Sequence, residues 1–480
     1  MTSPRVGLIL ANRAYVDHDG PEGGVAAPSP GSGGLLTTLG PTVTPWDGRT
    51  GTIWVGAGQG RFDHLHVDPS GYETLLTPAG PLRHRRLFFD GPTWMAHYSS
   101  VSNAFLWPLL HLVSEPLHLR TSYYPAPATP ATGSWDAYRR VNRAFAQAAL
   151  AAPANDACWI HDYQLALAPA MLREAGFGRL VGFFLHTPFP ALELVRDFDD
   201  PVALACMREF AQGILGAHLA GFQTQADLAR FARFCESFGA VADGETITFR
   251  GHRTAVGVFP VGVDANAVLE TAGSEARRDD GLPLVAGIER CDFTKGIPER
   301  LEAVARGLRE RLPFRYEGIA APTRRGLPAY ERLRDVVDDA ASACRAVDAT
   351  RFGHAFEARP WSEVVAMQRN AAVVFTSSLS DGMNLVPMQA ALAQKTLPRE
   401  RRGVLIAGRD AGVAATFPGA ERDGLVTVDP LDGEAMFATL RAAVLGELPR
   451  ISDRLIDAIL ARDAKAWATE FLSALEAYPC

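Results

Sequence analysis

The chain has no excess of basic residues: 47 Lys and Arg face 54 Asp and Glu, for a net charge of −7. That balance excludes a general polyanion-binding surface and argues against a nucleic-acid partner. Long hydrophobic runs are missing too. No apolar stretch approaches the roughly 20 residues of a membrane span. The short apolar run at 6–11 lacks the layout of a signal peptide. No membrane partner is expected, and the cytoplasm is the expected location. Cysteine is sparse: Cys158, Cys206, Cys235, Cys291, Cys344 and Cys480. None forms a CxxC pair or has zinc spacing, so buried thiols in a reducing compartment are expected, and no metal site. No GxxxxGK[ST] pattern appears. Gly56-Ala57-Gly58-Gln59-Gly60 lacks the spacing of a dinucleotide-binding loop, and no Gly-x-Ser-x-Gly occurs.

What is there is a soluble, globular composition, 47% hydrophobic and 21% charged, in 480 residues. That is too long for one ordinary core, so two domains are expected. Continuous apolar strands at 6–11, 53–55, 87–89, 157–160, 180–185 and 220–223 alternate with helical patterns at 135–151, 165–174 and 204–217. After a polar stretch near 275 the alternation restarts. Strands are expected at 283–287, 314–319, 371–376 and 404–407, with helices at 298–311 and 329–345. This pattern indicates parallel sheets covered on both faces. The expected fold is α/β, with two doubly wound Rossmann-like domains and a cleft between them. The boundaries are 1–262 and 263–455. A C-terminal helix within 456–480 is expected to pack back on the first domain, with Trp467, Phe471 and Leu475 on one face. Residues 20–34 hold no periodic pattern and read as a loop.

Ligands of such sheets bind beyond the carboxyl ends of the strands, and several residue groups lie there. Arg290 and Lys295 follow the strand at 283–287. They form either a clamp for a diphosphate leaving group or a solvated pair bonded to Asp292 or Glu299. His186 follows 180–185 in a turn locked by Pro188 and Pro190. It is either a structural histidine or a group facing a substrate hydroxyl. Asp162 is either a hydroxyl acceptor or a helix cap. Tyr98 and Trp107 flank 102–106, read as a polar loop, and are either a sugar-stacking wall or core. Arg13 and the pair Arg324-Arg325 are basic positions after strands. Asp381 precedes a helix start whose unpaired N–H groups attract anions.

Several motifs in order, WIHDYQL at 159–165, FFLHTPFP at 183–190, ERCDFTKGIPER at 289–300 and SDGMNLV at 380–386, resemble the trehalose-6-phosphate synthase family. Weaker matches are SNAFLWP at 102–108, GFQT at 221–224 and APTRRG at 321–326. The resemblance spans nearly the whole chain. It implies a retaining glycosyltransferase of the GT-B fold, using a nucleotide-sugar and a sugar phosphate and needing no cofactor or metal. It implies that Arg290 and Lys295 grip the donor diphosphate and that His186 and Asp381 contact the donor sugar. Met383, Asn384, Leu385 and Val386 would offer backbone amides near the phosphates. Gly33 and Gly34 match the glycine pair of a loop over the substrates. Arg13, Tyr98 and Arg325 would hold the acceptor phosphate, and Trp107 and Asp162 the acceptor sugar. Such proteins often form dimers or tetramers, and no motif decides whether this chain is a homo-oligomer.

The chain departs from the pattern at Gln389, where a Glu gripping the donor ribose is usual, and at Ser380, where Arg is common. The 13–33 stretch is also longer than usual. Other substrate pairs are therefore open: glucosylglycerol-phosphate synthesis, or the joining of cyclitol phosphates by a pseudo-glycosyltransferase. A silent sugar-phosphate sensor is a third reading, but Lys295, His186 and Asp381 are all present.

Overall fold

The computed structural model describes residues 6–19, 34–47, 49–77, 79–153, 156–273 and 281–478. The chain divides into two compact units, one of Met1–Leu112, Pro127–Pro260 and Ala464–Cys480, the other of Val113–Ala126 and Val261–Asp463.

Among the described residues, ten strands build the first unit: β1 (Val6–Arg13), β2 (Ile53–Ala57), β3 (Tyr72–Thr77), β4 (Gly80–Leu87), β5 (Ala157–His161), β6 (Val181–Phe184), β7 (Leu219–Phe222), β8 (Val241–Ala242), β9 (Thr246–Phe249) and β10 (His252–Val258). They lie in the order β3-β4-β2-β1-β5-β6-β7-β10-β9-β8. The pairings from β4 through β10 are parallel, and the outer hairpins are antiparallel. In β1 every residue but Arg13 is buried, as expected of a strand covered on both faces.

The expected strand at 87–89 is instead β4, ending at Leu87. Its sequence, GPLRHRRL, disguises it. His84 and Arg86 are buried, and Arg86 pairs with Glu73 at 2.5 Å and Asp63 at 2.7 Å. Ion-paired charges fill positions where a periodicity reading looks for apolar side chains. Residues 102–106 are a second correction. They are not a loop but part of a helical run: Gly91–Trp94, a wide π-type stretch Met95–Leu106, and Trp107–Leu110. Ser102 Oγ donates to the His97 carbonyl at 2.8 Å, and Asn103 Nδ2 to the Tyr98 carbonyl at 2.7 Å. Both bonds reach back five residues, which suits the wider turn.

Among the described residues, the second unit holds six parallel strands: β11 (Leu284–Arg290), β12 (Arg315–Ala321), β13 (Phe352–Ala355), β14 (Val373–Phe375), β15 (Val404–Gly408) and β16 (Leu425–Val428). Their order is β13-β12-β11-β14-β15-β16. Residues 113–126, read from sequence as first-domain chain, belong here. Tyr124 meets Phe293 edge-on at 4.8 Å, and the Tyr123 hydroxyl donates to Glu299 at 2.6 Å.

The return to the first unit begins at Ala464 rather than 456. The helix Asp453–Leu460 buries Leu455, Ile456 and Ile459 and stays in the second unit. The last helix, Ala464–Glu476, buries Trp467, Phe471 and Leu475 in the first. Phe471 stacks on Trp159 at 4.7 Å and 11°. Gly182 and Gly221 make room for it, since a Cβ on either would lie within 2.8 Å of its ring. Replacing Phe471 by Ala is expected to cost roughly 3–5 kcal/mol of first-unit stability, read as a lower urea midpoint. A loss under about 1 kcal/mol would contradict this packing.

Candidate functional site

The candidate residues fall into two groups, one on each unit. In the first unit Arg13 ends β1 with an exposed side chain, and its Nη2 donates to the Tyr98 hydroxyl at 3.1 Å. The neighbouring residues pair as well: His97 Nε2 lies 2.9 Å from Asn12 Oδ1, with both side chains buried. Two consecutive residues at a strand end thus meet two consecutive residues of the wide helix. Tyr98 also stacks on Trp94 at 5.6 Å and 5°. Trp107 is buried against His111 and Tyr163, at 4.3 and 5.7 Å.

Asp162 follows β5 with φ 73° and ψ 166°, a conformation costly for a residue with a side chain. Its Oδ1 accepts from the Tyr163 N–H at 3.0 Å and the His186 N–H at 3.3 Å. Capping and a place beside His186 are therefore both true of it. His186 Nε2 lies 3.2 Å from His161 Nδ1, and the ring sits among Phe184, His161 and Trp467. Burial pushes the His186 imidazole down to about 3, and burial followed by the charge of His186 drives His161 well below its ordinary value. Both rings are neutral at physiological pH. Gly34 opens the helix Gly34–Leu39, and Gly33 lies outside the described residues.

In the second unit β11 and β14 are adjacent parallel strands, so the loops that follow them are neighbours. Arg290 is exposed at the end of β11. Asp292 caps the turn Phe293–Lys295 by accepting from the Thr294 N–H at 3.2 Å. Burial raises the Asp292 carboxyl, but Arg324, Arg290 and Lys295 outweigh burial and hold it well below the usual carboxylate range. Lys295 forms an ion pair with Asp381 on the β14 loop, and both are largely buried. Of the alternative partners, Asp292 pairs with Arg324 and also feels Arg290 and Lys295, and Glu299 accepts from Tyr123. Gly296 has φ +56°, and a Cβ there would fall 2.2 Å from the Ser377 carbonyl. Only glycine permits the two loops to approach this closely. The Leu379 N–H donates to the Thr294 carbonyl at 2.8 Å.

Asp381 itself is anchored from a third strand end, its N–H donating to the Asp410 carbonyl at 3.2 Å. Met383 is buried, and its carbonyl accepts from the Val413 N–H at 2.9 Å. The helix expected after Asp381 spans Val386–Ala393. The sequence leads one to expect an unpaired first N–H here, but that N–H is already engaged. The Val386 N–H donates to Asn384 Oδ1 at 3.2 Å, because Asn384 adopts φ 57° and turns its amide back on the helix start. Leu385 and Gln389 are half-buried. Gln389 Oε1 accepts from Gln368 Nε2 at 3.4 Å. Arg325 is exposed beside Arg324.

Sequence reasoning missed the layer beneath these loops. Arg300 and Glu289 form a fully buried ion pair, and Ser377, Ser378 and Asn384 link it to Lys295 and Asp381. The available signal was the second charged pair of ERCDFTKGIPER, placed where a strand end and a helix must both be buried. Among the described residues, no group of three or more His, Cys, Asp or Glu could hold a metal ion. No described helix is long and apolar enough to cross a membrane.

Residues 53–477 match the model of glycosyltransferase family 20. A trehalose-6-phosphate synthase of Mycobacterium avium is 31% identical over 98% of this chain and 94% of its own length. A UDP-forming α,α-trehalose-phosphate synthase of Yarrowia lipolytica is 30% identical over 90% of each. The crystal structure of a UDP-forming α,α-trehalose-phosphate synthase from Burkholderia xenovorans, in complex with glucose-6-phosphate, superposes with a TM-score of 0.78. It is 25% identical and covers 98% of this chain and 100% of that one.

Neutral buried histidines make stability depend on pH. In the unfolded chain His161 and His186 protonate near pH 6.5, whereas in the fold they resist protonation. Their contribution is complete above about pH 6.5 and is lost as pH falls from there toward about 3. The urea midpoint of the first unit is expected to be lower at pH 5 than at pH 7, and His186→Gln to narrow the gap. Equal midpoints at both values would contradict the assignment.

Proposed function

The chain belongs to glycosyltransferase family 20, and from that premise we propose that it transfers glucose from UDP-glucose to glucose 6-phosphate, giving trehalose 6-phosphate with retention. The observation that carries this reading is the Lys295–Asp381 pair at the ends of two adjacent parallel strands, with Arg290 at the head of the same loop. A cation pair suits a departing diphosphate, and a carboxylate suits sugar hydroxyls.

In this reading the second unit holds the donor. Arg290 and Lys295 bind the diphosphate, and the backbone of Met383, Asn384 and Leu385 lies along it. Gln389 faces the nucleotide ribose. Asp381 and His186 contact the donor sugar, and Gly33 and Gly34 belong to the segment that covers the substrates. Arg13, Tyr98 and Arg325 take the acceptor phosphate, and Trp107 and Asp162 the acceptor sugar. Lys295 exchanges the Asp381 carboxylate for the diphosphate as the donor binds, which leaves Asp381 to accept from sugar hydroxyls. The acceptor hydroxyl then attacks the anomeric carbon from the face the diphosphate leaves. The bond from that carbon to the diphosphate oxygen breaks, and the proton passes to a leaving phosphate oxygen. No cofactor, metal or protein nucleophile takes part in this scheme. Positioning contributes on the order of 7–11 kcal/mol, and the two cations stabilise the developing charge. In this reading the reaction takes place in the cytoplasm.

The test is a screen of UDP-, GDP- and ADP-glucose against glucose 6-phosphate, glycerol 3-phosphate and cyclitol phosphates, with products identified by mass. Product from UDP-glucose and glucose 6-phosphate supports the reading. Product only with glycerol 3-phosphate or a cyclitol phosphate overturns it. Arg290→Ala and Lys295→Ala should each lower turnover by roughly a hundredfold or more while the protein stays folded; near-normal rates in both would remove the clamp. Gln389→Glu restores a charged acceptor for the ribose diol. It is expected to lower the KM for UDP-glucose by about fivefold, since bonds to charged groups contribute about 1 kcal/mol more than neutral ones. An unchanged or higher KM would place the ribose elsewhere.

A further inference from the structure

Two consecutive serines follow β14, and both are fully buried. The Ser377 hydroxyl donates to the carbonyls of Gly296 and Lys295, at 2.7 and 3.0 Å, and accepts from Arg300 Nη1 at 3.1 Å. It grips the main chain that carries Lys295. The Ser378 hydroxyl donates to Asp381 Oδ2 at 3.2 Å and accepts from Asn384 Nδ2 at 3.1 Å. It grips the Asp381 carboxylate, on the same oxygen that pairs with Lys295. The second hydrogen of Asn384 Nδ2 points toward Glu289 Oε1 at 3.5 Å, and Glu289 is held by Arg300. One buried Arg–Glu pair therefore backs both serines. A hydroxyl can both donate and accept, and each of these two does so, Ser377 sharing its one hydrogen between two carbonyls. Neither hydroxyl has solvent exposure through which to meet a ligand directly.

We propose that Ser377 and Ser378 are separate positioning residues for donor binding and for transfer: Ser377 sets Lys295 through its main chain, and Ser378 sets Asp381 through its carboxylate. The inference rests on the donor-site reading above. Its consequence is a division of labour. Lys295 meets the diphosphate, which free UDP also carries. Asp381 meets the sugar, which free UDP lacks.

The test uses the full chain with two variants and two readouts, the Kd for UDP alone by calorimetry and kcat for transfer at saturating substrates. Ser377→Ala is expected to weaken UDP binding by about tenfold and, because Lys295 also faces the departing diphosphate, to lower kcat as well. Ser378→Ala is expected to leave the UDP Kd within about twofold and to lower kcat by about tenfold. A merely structural role moves both readouts together, so parallel losses in both variants overturn the proposal, as do wild-type values in both. Should Ser377→Ala lower the unfolding midpoint, the split in Ser378→Ala decides alone. Wild-type transfer with indistinguishable variants counts against the serines only. A wild-type chain that binds UDP but transfers no glucose counts against the substrate reading, and the UDP Kd of Ser377→Ala still decides its role.

Discussion

The ion pair between Lys295 and Asp381 is the interaction on which the second unit's architecture converges. It joins loops that follow β11 and β14, and those strands are neighbours only because the sheet order places them side by side. A buried cation and a buried carboxylate are each costly alone and tolerable together. The close approach needs Gly296 beneath the Ser377 carbonyl and a main-chain bond from Leu379 to Thr294. Each of these fixes the distance between the strand ends, and so fixes where a charge can sit.

The first unit uses the same principle with different parts. Arg13 stands at a strand end and is oriented by Tyr98, while the buried Asn12–His97 contact one residue earlier sets the register of that meeting. Asp162 and His186 end neighbouring strands and are joined through a carboxylate-to-amide bond. The final helix returns to this unit and lines the histidine pair with Trp467. In both units most of the candidate residues sit on short post-strand segments, and the sheet beneath supplies the rigidity.

Much of this was legible because parallel strands buried on both faces leave continuous apolar runs, and because the residues after them are polar and unlike their surroundings. His186, Asp162, Arg290, Lys295 and Asp381 all stood out in that way. β4 did not, because its interior positions are Arg and His balanced by Glu73 and Asp63. Residues 102–106 of the wide helix were read as a loop because Ser102 and Asn103 look like loop residues, while their side chains bond carbonyls five positions back. Residues 113–126 were assigned to the wrong unit because two tyrosines carry no sign of which partner they will meet. The serine layer was hidden because a buried hydroxyl and an exposed one are the same letter.

By itself the sequence determined the alternation of strand and helix, the division into two α/β units, and which polar residues stand at strand ends, since periodicity and local turn chemistry are written residue by residue. Only the tertiary structure decided which strand ends are neighbours, and hence that Lys295 forms its ion pair with Asp381. It also decided that the Ser377 hydroxyl bonds the carbonyls of Lys295 and Gly296. The ion pair spans 86 residues, and the Ser377 bonds to the Lys295 and Gly296 carbonyls span 82 and 81. Sheet order and burial select such contacts, and no local pattern encodes them.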